Sequence, residues 1–116
     1  MQVFVYGTLK KHFNNHHFMI EANGKLLGRT VCKGYACINT PWYPYAIKKD
    51  SAQIIGELYE VPEDKFGILD GLEGYPNLYN RTIVDTPLGK AWIYYSLNNH
   101  DDYIEKFGFV EEWVKR

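Results

Sequence analysis

The chain reads as an α+β domain, a small curled sheet or barrel with short helices packed on it. Three observations point there. Apolar and aromatic residues fall in short runs of strand character, such as QVFVY (2–6), QIIGELYEV (53–61) and KAWIYYSL (90–97). Glycines interrupt the strand-like stretches at Gly28, Gly34 and Gly56, as they do where a sheet bends or bulges rather than lying flat. Helical periodicity is confined to brief stretches, the clearest at 62–74. Many short bent strands with few helices favour closure of the sheet upon itself.

In chain order, QVFVY (2–6) is a first strand that breaks into a tight loop at Gly7-Thr8. Asn14 or Asn15 is placed to cap a brief helix over 16–22, which Asn23-Gly24 would end. KLLGRTVCKGYACI (25–38) is strand material bent at its two glycines, and NTPWYPY (39–45) is a loop stiffened by two prolines. AIKK (46–49) and 53–61 are expected as separate strands around a turn at 49–52. YNRTIVDT (79–86), a Pro87-Leu88-Gly89 turn and 90–97 form a hairpin. The mixed apolar and charged C-terminal piece, with Tyr103, Phe107 and Trp113, is expected to cover one side of the sheet.

Composition narrows the function classes. A chain of 116 residues is expected to form a single domain over 1–116 with its own core. Its 46% hydrophobic and 23% charged residues describe a folded protein rather than a disordered one. The net charge of −1 comes without any basic stripe to track phosphates, so no nucleic-acid partner is expected. No apolar run approaches the ~20 residues of a membrane span and no charged leader opens the sequence, so a cytoplasmic protein with no membrane partner is expected. Cys32 and Cys37 are too few for a disulfide framework and lack a second ligand pair for zinc. They read as reduced, partly buried thiols, placed by their odd spacing on opposite faces of one strand.

Several chemistries are missing. Neither serine lies in a G-x-S-x-G elbow, and neither a Walker A loop nor a G-x-G-x-x-G run occurs. The adjacent His16 and His17 point different ways on a helix, which argues against a catalytic metal. No cofactor motif is present, so catalysis, if any, falls to carboxylate, phenols and backbone amides.

One carboxylate stands out. In PEDKFGILDGLEG (62–74), Pro62 suits a first turn, Glu63 and Asp64 favour the positive end of a helix, and Gly74 is placed to stop it. Phe66, Leu69 and Leu72 form the apolar stripe. Glu73 follows Leu69 by four residues and Phe66 by seven, so it projects from the same inward side, in the last turn where the dipole disfavours negative charge. Burial and dipole both raise a carboxyl pKa toward the range useful for proton transfer. The alternative is that the last turn unwinds and Glu73 points to water. The loop Tyr6-Gly7-Thr8-Leu9 leaves its strand at a glycine, where successive N–H groups can turn toward an anion or a carbonyl oxygen.

In combination these pieces resemble a known family. VFVYGTLK (3–10) with Asn15-His16, LDGLEGYPNLYNRT (69–82), TPLGKAWIYY (86–95) and the Tyr43-Pro44 pair are similar, in order, to the signatures of gamma-glutamylcyclotransferase-like proteins. The likeness spans about residues 2–97 and is nearest to the small single-domain members that act on γ-glutamylamines. It implies a small mixed β-barrel with a cavity where the Tyr6–Leu9 loop meets the acidic residue. It further implies cofactor-free and metal-independent conversion of a small-molecule γ-glutamyl substrate to 5-oxoproline and free amine. By match, Glu73 is the general acid/base. Tyr6, Gly7, Thr8 and Leu9 bind the glutamyl part, Tyr43 stands at the rim, and Tyr79 is the aromatic residue after the acid. A binding module for a small carboxylate-bearing metabolite in the same cavity is the alternative, and an interaction protein with an aromatic surface a third. The oligomeric state is left open.

Overall fold

In the computed structural model, which describes residues 1–114, strand β1 (Gln2–Val5) is followed by helix α1 (His16–Glu21), β2 (Lys25–Ile38) and β3 (Tyr45–Glu60). A 3-10 turn (Glu63–Lys65) leads into α2 (Phe66–Glu73), then come β4 (Asn80–Thr86), β5 (Gly89–Tyr95), α3 (Asp101–Phe107) and the short β6 (Phe109–Val110). The strands form one six-stranded sheet in the order β4-β5-β1-β3-β2-β6. All its neighbours run antiparallel except β1 and β5, which pair parallel through Val3–Trp92 and Phe4–Ile93. The sheet curls into a half-barrel. β4 and β2, separated by three strands in that order, come into contact, and Leu88 of the β4–β5 turn packs over Gly28. This is the mixed α+β architecture expected from the glycine-bent strands.

The two-residue period of β1 divides the core. Val3 and Val5 face a cluster completed by Met19 and Ala22 of α1 and by Phe66 and Leu69 of α2. Phe4, with Tyr6 just beyond the strand, faces the inside of the curl, among Cys32, Ile54, Leu58 and Ile93. Trp113 closes that inner cluster. It is 1% exposed, its indole Nε1 donates to the Thr40 carbonyl at 2.7 Å, and its own carbonyl accepts from Lys10 Nζ at 2.6 Å. The C-terminal piece thus supplies a core residue as well as α3, which packs against β2.

Four local expectations are corrected. The region 45–60 is one strand rather than two around a turn: Lys33 pairs with Gln53 and Tyr35 with Lys48, so 49–52 bulge out opposite Gly34 and pairing resumes with the same neighbour. That irregularity also moves Cys32 and Cys37 onto the same side. An extra residue in the strand reverses the alternation, and both thiols are buried in the inner cluster. Burial raises the Cys32 thiol to about 11 and the Cys37 thiol to about 12, which leaves them as packing groups rather than nucleophiles. Asn15 occupies the N-cap position of α1, but its side chain does not cap and Nδ2 instead donates to Thr8 Oγ1 at 2.9 Å. Pro62 precedes a 3-10 turn, and the α-helix begins only at Phe66.

Trp113→Ala removes a fully buried indole together with a buried hydrogen bond. The expected cost is about 3–5 kcal/mol, read as a lower urea midpoint with unchanged slope in a denaturation followed by circular dichroism.

Candidate active site

The helix that carries Glu73 does not unwind. Gly74 takes the left-handed conformation (φ 64°), where a side chain would be strained, and the N–H groups of Gly74 and Tyr75 donate to the carbonyls of Gly71 and Asp70. Glu73 is therefore held in the last helical turn, next to the inward stripe of Phe66, Leu69 and Leu72. One turn earlier, Asp70 locks this helix to the β4–β5 hairpin. It accepts from Tyr94 Oη at 2.7 Å and pairs with Arg81, whose Nη2 donates at 3.3 Å. Arg81 Nε lies 3.0 Å from the same carboxylate but too far off line to donate to it. The guanidinium lies over three rings, Trp92 at 4.3 Å, Tyr75 at 4.6 Å and Phe66 at 5.1 Å, which hold it by cation–π attraction.

The loop after β1 is fixed through its carbonyls. Gly7 O accepts from Lys10 N, Thr8 O from Asn15 N, and Leu9 O lies 2.9 Å from His16 Nδ1. Among the described residues no protein group accepts from the N–H groups of Gly7, Thr8 and Leu9, which leaves three backbone donors beside the cavity. A side chain at position 7 would come within 2.9 Å of the Pro44 ring, so the glycine permits the loop to lie against the Tyr43-Pro44 segment. Tyr79 Oη donates to the Pro44 carbonyl at 3.2 Å and secures that segment from the other side.

These elements enclose a cavity of about 240 Å³. Tyr6, Gly7, Thr8, Leu9, Tyr43, Glu73 and Tyr79 all line it, so the structure brings together every residue singled out in the sequence. Asn15, Leu72, Leu78 and Tyr94 also contribute, and sequence reasoning did not select them. Asn15 reads as a helix cap because Asn before an apolar run usually is one. Tyr94 lies in an unbroken apolar run where alternation alone does not say which face meets a cavity.

The electrostatics centre on one group. Among the described residues Glu73 is the only charged one in the lining. It keeps part of its surface open, yet its carboxyl is enclosed by protein on nearly every side, and burial pushes it up from 4.5 to about 7. The surrounding phenols do not relieve it. Tyr6 Oη donates to the Tyr94 carbonyl at 2.7 Å, Tyr79 to Pro44 and Tyr94 to Asp70, so each proton is committed elsewhere. Burial, with the nearby Glu73 adding to it, raises all three phenols well above their ordinary range and keeps them neutral. A carboxyl that changes charge near pH 7 thus lines one cavity with a loop of uncommitted N–H donors and with neutral phenols, an arrangement suited to moving a proton within a bound small molecule.

Residues 3–113 match the model of the family described as gamma-glutamyl cyclotransferase, AIG2-like. The chain belongs to this family. A Methanocaldococcus jannaschii protein provisionally named a gamma-glutamylcyclotransferase is 37% identical over 99 residues, covering 80% of this chain and 82% of that one. The gamma-glutamylcyclotransferase family protein YtfP of Escherichia coli (strain K12) is 33% identical over 94 residues, covering 81% and 80%. In fold, an AIG2-like protein from Mus musculus superposes with a TM-score of 0.84 at 22% identity, over 97% of this chain and 87% of that one. The gamma-glutamylcyclotransferase-like architecture expected from the sequence motifs is thereby established for this chain.

The raised carboxyl has a consequence for stability. Between pH about 4.5 and 7 the folded protein holds a proton that the unfolded chain has released, so the native state loses stability as pH rises through that window. Glu73→Gln does not titrate. Its stability relative to the parent protein is expected to improve across the same window, by up to about 3 kcal/mol, in urea titrations run at pH 4 and at pH 8. A difference that stays constant with pH would show that the carboxyl is not protonated by burial.

Proposed function

We propose that this protein is a cofactor-free cyclotransferase that converts a γ-glutamyl amine or γ-glutamyl amino acid to 5-oxoproline and the free amine, with Glu73 as general acid/base. The observation that carries the reading is the meeting of Glu73, poised near neutrality, with the free N–H groups of Gly7, Thr8 and Leu9 in one cavity. Family membership supports it as well.

In this reaction the substrate supplies its own nucleophile. Its α-ammonium gives a proton to the Glu73 carboxylate, and the freed amine attacks the γ-carbonyl carbon to form the ring C–N bond. As the tetrahedral oxyanion collapses, the outgoing nitrogen takes the proton back from Glu73 and its bond to carbon breaks. The ring nitrogen gives up its remaining extra proton to the Glu73 carboxylate, which passes it to the departing amine, so a neutral lactam and an ammonium are the products. No electron is gained or lost overall and no water is consumed. Holding the glutamyl chain curled turns proximity into rate, and a carboxyl with a pKa near 7 can both take and return the proton at neutral pH. The Gly7–Leu9 donors hold the substrate's α-carboxylate or the developing oxyanion. Tyr6 and Tyr79, neutral and fixed by their own hydrogen bonds, form rigid walls that exclude water.

A screen of γ-glutamyl compounds for 5-oxoproline release tests the proposal directly. Glu73→Gln is expected to lower kcat by about 10²–10⁴, the usual worth of a general acid/base, while product affinity stays within about tenfold. For the unmodified protein kcat/KM should fall below pH about 7 as the carboxyl takes up its proton. Undiminished turnover by Glu73→Gln would remove the carboxyl from the mechanism, and tight binding without any release would leave a binding module instead.

A further inference from the structure

Only two residues of the cavity wall are exposed, Tyr43 at 46% and Leu78 at 73%, and these mark the mouth. The rest of the lining, from Phe4 to Leu9 on one side and Tyr79 and Tyr94 on the other, is largely buried and forms the deep part. On the cyclotransferase reading, the glutamyl group lies deep, against Glu73 and the free N–H donors. The amine that departs must then pass between Tyr43 and Leu78.

The mouth has a definite chemical character. Among the described residues the lining holds no lysine, arginine or histidine, so a carboxylate carried on the outgoing amine would lose water without meeting a cation from them. What it offers instead is apolar surface: the exposed Tyr43 and Leu78, backed by the buried Pro44 and Tyr79. The aromatic part is braced and does not need to form around a ligand. Tyr43 packs edge-on against Tyr45 with centroids 5.4 Å apart, and Tyr45 stacks on Tyr79 at 6.0 Å with ring planes 14° apart. Behind them Tyr45 also meets His100 at 4.2 Å and Tyr103 at 5.8 Å, so α3 and the segment before it support the slot. Thr40 Oγ1 donates to the Tyr43 carbonyl and pins the exposed ring's backbone. A preformed aromatic wall binds flat apolar groups at low ordering cost.

We infer that the mouth selects the outgoing amine, and that the preferred substrates are γ-glutamyl amides of arylalkylamines, which bear a ring and no carboxylate. The inference rests on the cyclotransferase reading for the direction in which the ligand lies.

Three probes separate the features: γ-L-glutamyl-phenethylamide, γ-L-glutamyl-L-phenylalanine, which adds only a carboxylate, and γ-L-glutamyl-methylamide, which removes the ring. The phenethylamide is expected to exceed each of the others at least tenfold in kcat/KM for 5-oxoproline release. Tyr43→Ala should shrink its advantage over the methylamide to within about threefold, and Tyr43→Phe should retain it. Equal or better turnover of the phenylalanine or methyl compound overturns the inference, as does an advantage that survives Tyr43→Ala. Calorimetric titration of the same three compounds into Glu73→Gln keeps the two readings apart. If no compound is cyclised by the unmodified protein but the affinity order is as expected, the cyclotransferase reading fails and the selective mouth stands. A flat affinity order overturns the selectivity whatever the turnover.

Discussion

Everything in this fold depends on where the four residues of β1 are pinned. The strand pairs antiparallel with β3 and parallel with β5, and its alternation feeds two core layers at once. Val3 and Val5 meet the helices, while Phe4 and Tyr6 meet the inside of the curl. A slip of one residue would exchange these faces and place each side chain in the wrong layer. The same pinning aims the loop that follows, so the position of the Gly7–Leu9 donors is set by core packing together with the loop's own glycine and carbonyl hydrogen bonds.

The candidate site departs from ordinary polar bookkeeping in one respect. Buried carboxylates are normally given donors, and three phenols stand close enough to act on Glu73 electrostatically. Each is turned toward another acceptor. The carboxyl nearest to it on the helix, Asp70, receives Tyr94 and Arg81 instead. Two carboxyls one turn apart are thus given opposite surroundings, one paired for holding the helix, the other without a hydrogen-bond partner among the described residues and with its proton affinity raised. Such local conflict with stability is expected where a group is kept for chemistry.

Much of this was legible in the residues because the signals are local. Strand period, glycine bends and the Gly74 stop each depend on a few neighbours. The spacing from Phe66 and Leu69, by contrast, leaves Glu73 either inward or, if the last turn unwinds, in water, and it is the family signature around it that favours the inward placement. The misreading at 49–52 is instructive: Lys-Asp-Ser is turn-like in composition, but turn and bulge differ in whether the chain resumes pairing with the same strand, and that information lies on β2. The two cysteines were misplaced for the same reason. The state of Glu73 depends on partners still farther away, since Tyr6 finds its acceptor 88 residues along the chain and Tyr79 finds its own 35 residues back. No local pattern reports which way a phenol's proton points.

The bond from Lys10 to the carbonyl of Trp113 links residues 103 positions apart. Lys10 immediately follows the donor loop, so that loop is secured by one of the longest closures the chain makes. Loop closure of this span costs entropy before any contact offsets it. The β2–β3 hairpin joins nearby segments and bears a smaller cost. Assembly of the β2–β3 hairpin can therefore run well ahead of assembly of the cavity, and kinetic φ-values high in the hairpin and near zero at Trp113 would be the mark of it. In temporal terms the protein is a scaffold first and a pocket last.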